Sequence, residues 1–166
     1  VVDYLNNLEK KIGYTFRNRD LLQQALTHKS FSNEQPEYAL HNERLEFLGD
    51  AVLELVVSDW IYIHYPDIPE GGLTRIRAEV VSEKGLTEIA RELSLGEGLR
   101  LGKGEHKGGG REKPSLLSDA LEALLGAIYR DSGFAEVSRV IEKIFIEAIQ
   151  KSALQRYGSD YKTCLQ

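Results

Sequence analysis

Five carboxylates, held at two places in the 166-residue chain, have the types and spacing to do chemistry together. Glu43, Glu46 and Asp50 are spaced i, i+3, i+7, which on a helix places them within about 60° of one another. Only Arg44 is near enough in sequence to offset them. Asp119 and Glu122, i and i+3, form a second set inside another apolar run. Like carboxylates on mostly buried helices repel each other and lose hydration, so the arrangement is destabilising unless a cation is supplied. Facing one another, the two sets form an oxygen-rich cage suited to Mg²⁺ or Mn²⁺. For Asp119 taken alone the competing reading is a charge near a helix N-terminus, favoured by the macrodipole.

The elements that carry these residues read as helices. Residues 36–65 contain no proline after the first position and one glycine, which predicts a long helix. Its apolar side chains fall nearly all round the circumference, the mark of a central helix. Residues 116–129 repeat the pattern in miniature, with Ser115 or Ser118 as N-cap after Pro114. Residues 2–12 and 19–28 are short amphipathic stretches, 73–95 has helical spacing interrupted by Gly85 and closed by Gly96, and 134–155 completes an all-α bundle. The glycine-rich stretch 101–114 lacks the order of a phosphate-binding loop and reads as a mobile surface loop. Its Lys103, Lys107, Arg111 and Lys113 outnumber Glu105 and Glu112, so contact with a polyanion is the functional alternative there.

Composition narrows the class. At 18.7 kDa, with 42% hydrophobic and 28% charged residues, the chain suits one globular domain. A formal charge of -5 argues against holding nucleic acid by overall basicity, and residues 41–70 carry seven acids against one base. The single Cys164 fits a reducing compartment, and no run is apolar enough to span a bilayer, so a cytoplasmic protein without membrane attachment is expected.

The string HNERLEFLGD from His41 to Asp50, continuing AVLEL, resembles the signature of the ribonuclease III family, endonucleases of double-stranded RNA. Ala25–Ser30, Leu101–Glu105 and Ser118–Leu124 extend the resemblance over residues 1–156. It implies the all-α ribonuclease III endonuclease fold, with Glu46, Asp50, Asp119 and Glu122 as catalytic metal ligands for Mg²⁺, Mn²⁺ substituting, and no organic cofactor. It further implies that Glu43 and Glu70 belong to an acidic catalytic valley and that Phe47 is an aromatic knob in a homodimer interface. The products implied are 5′-phosphate and 3′-hydroxyl ends with short 3′ overhangs, in rRNA and other RNA processing. The closing residues 157–166 look like a linker and the opening of a double-stranded-RNA-binding domain, whose absence would account for the acidic balance.

The residues also weigh against other chemistry. His28, His41, His64 and His106 lack a plausible nucleophile partner, which leaves no Ser/His or Cys/His constellation. A di-iron or di-manganese redox bundle expects Glu-x-x-His, and no histidine here lies three residues after a glutamate. A fold that binds duplex RNA without cutting it would be favoured had the cage acids been replaced, and all are present.

Overall fold

The computed structural model describes residues 1–38 and 40–158. Among these it holds ten α-helices, two short 3₁₀ segments and no strand, in agreement with the all-α expectation. α1 (Val2–Ile12) buries Leu5, Leu8 and Ile12 and ends at Gly13, whose left-handed φ of 69° lets its N–H return to the last carbonyls. α2 (Arg19–Ala25) is capped by the Asn18 side chain and α3 (Lys29–Glu34) by His28. α4 (Glu43–His64) and α9 (Pro114–Ser132) form the centre, and from Ala120 to Ile128 every residue of α9 is buried. Around them stand α5 (Glu70–Val80), α6 (Glu83–Glu92), α7 (Leu95–Gly98), α8 (Lys103–Lys107) and α10 (Phe134–Tyr157). No helix among the described residues is long and apolar enough to cross a membrane.

Two glycines decide how α4 and α9 meet. A side-chain carbon at Gly49 would collide with the backbone oxygen of Glu122, and one at Gly126 with the backbone oxygen of Leu45. The two backbones therefore abut, each glycine serving as the slot for the other helix. Gly49 precedes Asp50, and Gly126 lies one turn after Glu122, so the contact that closes the core also brings the two acidic sets together.

Several expected boundaries move, each for a local reason. The long helix begins at Glu43 rather than Pro36, because the Asn42 N–H donates to the Thr27 carbonyl (2.9 Å) and its side-chain amide to the Ala25 carbonyl (3.1 Å). Residues 36–38 form only a 3₁₀ turn. Stretch 73–95 breaks at Val81–Ser82 instead of at Gly85, since Ser82 Oγ accepts the Gly85 N–H (3.0 Å) and starts α6. Gly96 lies inside α7 and is no C-cap: α6 closes at Leu93, followed by Ser94 at φ 57°. α9 has Pro114 in its first turn and no side-chain cap, Ser118 Oγ donating to the Ser115 carbonyl instead. The stretch 101–114, expected as a mobile loop, contains α8 and a 3₁₀ turn at Gly110–Glu112. α10 runs through Tyr157, and the expected start of a second domain lies, from residue 159, outside the described residues.

Candidate metal centre

Glu46 lies in the first turn of α4, where Asn42 N-caps the helix, and Asp119 and Glu122 sit in the second and third turns of α9. That position removes the helix-terminus reading of Asp119, since the first turn of α9 contains no acid. One carboxylate oxygen from each of Glu46, Asp119 and Glu122 lies within 4.8 Å of the other two. Asp50 stands outside this trio on the exposed side, with its carboxyl close enough to raise the pKa of Glu122. The four acids matched to the family signature are thus contiguous. The sequence expectation that the α4 acids sit on a mostly buried face is corrected, because Glu43 and Asp50 are exposed and Glu46 is half-buried.

Electrostatics shows what the packing costs. Glu122, 9% exposed, has its pKa pushed up to about 9, first by burial, then by the hydrogen bond that it can donate to Asp50 while protonated and by the charges of Asp50, Glu46 and Asp119. Burial and the charges of Asp119, Asp50 and Glu43 raise Glu46. Burial, then Glu83 and Glu43, raise Asp119. No ion pair reaches the trio among the described residues. A cluster of hard oxygen donors, partly desolvated and without a compensating side chain, could hold a Mg²⁺- or Mn²⁺-type ion.

The remaining acids separate. Glu43, one turn before Glu46, is held by Lys29 at 3.1 Å, which keeps its carboxyl below the usual range. Glu70 begins α5, beyond the far end of α4, and bonds Thr74 Oγ1 (3.0 Å). The 18 residues from Glu46 to the end of α4 span about 27 Å, so one chain does not bring Glu70 to the cage. Glu83, at the start of α6, was not singled out by sequence, yet its charge bears on Asp119; its neighbours in the chain carry no hint of this.

The basic stretch is organised for other ends. Arg111 donates through Nη1 to the carbonyls of Leu99 (2.7 Å), Gly96 (2.9 Å) and Glu97 (3.3 Å), and through Nε to His106 (3.2 Å). Lys113 pairs with Glu105 at 2.7 Å. Only Lys103 and Lys107 of the four extend from exposed positions with no recorded ion pair among the described residues. Phe47 is 80% exposed and Tyr62, four turns on, 72%. With Leu55 they make an apolar stripe along the outer face of α4.

The Ribonuclease-III-like family model matches residues 18–149. The chain belongs to this family. The Ribonuclease 3 of Syntrophotalea carbinolica is 59% identical over 160 residues, 96% of this chain and 69% of that protein. That of Magnetococcus marinus is 47% identical over 167 residues, 98% of this chain and 68% of that protein. The crystal structure of the nuclease domain of ribonuclease III from Campylobacter jejuni superposes with a TM-score of 0.76 at 43% identity, covering 88% of this chain and 93% of that one. A second structure of that domain concerns flexibility in its region of dimer formation. The chain is accordingly a ribonuclease III-type endoribonuclease.

Proposed function

We propose that this endoribonuclease hydrolyses phosphodiester bonds in double-stranded RNA with a divalent cation, Mg²⁺ or in its place Mn²⁺, held by Glu46, Asp50, Asp119 and Glu122. The observation that carries the reading is the trio of carboxylate oxygens within 4.8 Å of one another with no cation to meet them. Bound there, the ion supplies a more acidic water and neutralisation of charge on the phosphoryl oxygens. The chain's own task is to present deprotonated oxygens. Glu122 must give up a proton it otherwise holds to about pH 9, so loading the site releases protons and is favoured as pH rises.

The products of this reading are 5′-phosphate and 3′-hydroxyl ends with short 3′ overhangs, made in the cytoplasm in rRNA and other RNA processing. Duplex RNA suits an acidic site because its wide minor groove offers 2′-hydroxyls and phosphates that are read by shape. The active form is a homodimer. The exposed Phe47, Leu55 and Tyr62 stripe supports this, since a two-fold pairing hides the same patch on both copies. Pairing two α4 helices antiparallel also sets the Glu70 end of one beside the cage of the other.

Incubating the chain with a long RNA duplex in Mg²⁺, and separately in EDTA, tests the reading. Cleavage confined to the Mg²⁺ sample, with phosphate on the 5′ ends, is expected; cleavage that persists in EDTA overturns the metal assignment.

A further inference from the structure

Glu43 is the member of the α4 acidic set whose charge a cation meets, and that cation comes from elsewhere in the fold. Lys29, 56% exposed at the start of α3, places Nζ 3.1 Å from Glu43 Oε1. Glu43 in turn bears on both Glu46 and Asp119. The ammonium therefore stands at the rim of the carboxylate cage. Its backbone is well anchored. His28 Nδ1 caps α3 by accepting the Ser30 N–H (3.2 Å), Ser30 Oγ accepts the Gly102 N–H (2.9 Å), and the His28 N–H reaches the Arg100 carbonyl (3.0 Å). A fixed backbone beneath an exposed side chain is what a group needs to meet an incoming polyanion at a set place.

We propose that Lys29 grips a backbone phosphate beside the scissile phosphodiester, leaving Glu43 for the RNA when duplex binds. The inference rests on the double-stranded-RNA reading above. An exposed pair of this kind is worth only about 0–1 kcal/mol, so exchanging a carboxylate for a phosphate costs little. The need is also clear: the cage repels a phosphate backbone, and in the basic stretch Arg111 is committed to carbonyls, which leaves Lys103, Lys107 and the exposed, weakly paired Lys113 to share the attraction with Lys29. Glu43 then acts as a competitor for Lys29. Removing the ammonium and removing its competitor must move affinity in opposite directions.

The test uses the whole chain carrying Glu122→Gln to stop cleavage, in Mg²⁺, with a labelled RNA duplex bound across a salt series. Lys29→Gln is expected to weaken binding about three- to tenfold and to lower the salt slope by about one counterion, and Lys29→Arg to keep both. Glu43→Gln is expected to tighten binding. On the cleaving background, Lys29→Gln raises KM with little change in kcat. Unchanged affinity and slope in Lys29→Gln, or equal weakening by Lys29→Gln and Glu43→Gln, overturns the proposal and leaves the duplex reading intact. If the parent chain does not bind duplex RNA, both fall together.

Discussion

The α4–α9 cage and the basic segment from Lys103 to Lys113 are both dense in charge, and they treat it in opposite ways. In the cage, Glu46, Asp119 and Glu122 are drawn together by backbone packing and left without a cation, and burial pushes each of their pKa values up. In the basic segment Arg111 is spent on three carbonyls and Lys113 on Glu105, whose carboxyl falls below its ordinary range because Lys113 bonds it. A guanidinium held by three carbonyls keeps a loop in shape; charges left unmet, as in the cage and at Lys103 and Lys107, or met only by one exposed partner, as at Lys29, stay available to a ligand. Counting charged residues along the sequence does not tell these cases apart.

The sharpest way to break the comparison is Glu122→Gln. It keeps shape and removes a hard anionic ligand, so cleavage in Mg²⁺ should drop by at least about 10²-fold while the duplex still binds. Near-normal rates at low Mg²⁺ would remove Glu122 from the site. Next in size is Gly49→Ala. The added carbon meets the Glu122 backbone, and the chain should lose about 3 kcal/mol or more of stability together with metal affinity, read by thermal melting with and without Mg²⁺. A small shift in melting would show that α4 and α9 can separate without cost.

The pH dependence of the metal-free chain sharpens the same contrast. Glu122 titrates near 9 in the folded chain and near 4.5 in the unfolded one, so the folded chain binds more protons between those values. Its contribution is therefore fully favourable below about pH 4.5 and is lost as pH rises through 9. In EDTA, Glu122→Gln should flatten this decline and be more stable than the parent at pH 8 by on the order of 1–3 kcal/mol. Parallel melting curves from pH 5 to 8.5 would contradict it. On the basic side Arg111→Lys should cost about 1–2 kcal/mol, because an ammonium cannot span the three carbonyls, and it should raise proteolysis between residues 101 and 113. The smallest effect belongs to Lys113→Gln, an exposed pair, at about 0–1 kcal/mol. A larger loss there than at Arg111 would reverse the assignment of which side chain anchors the segment.

Sequence determined more of the site than of its surroundings. The i, i+3, i+7 spacing of Glu43, Glu46 and Asp50 and the i, i+3 pair Asp119 and Glu122 are local properties of two helices, so residue type and helical period were enough to expect a cage. The helices themselves were legible from apolar periodicity, and the family from the residues around His41–Asp50. Tertiary structure decided the rest. That Asn42 ends the non-helical approach to α4 depends on carbonyls at Ala25 and Thr27, and that Glu83 and Lys29 stand near the cage depends on how α6 and α3 pack. Arg111 reads as a ligand for polyanions until the carbonyls of Gly96, Glu97 and Leu99 converge on it. The physical reason is one of range: helical period fixes what lies within two turns, whereas a hydrogen bond or a Coulomb interaction is set by distance in space, and only the packing of Gly49 against Gly126 and of the helices around them fixes that distance.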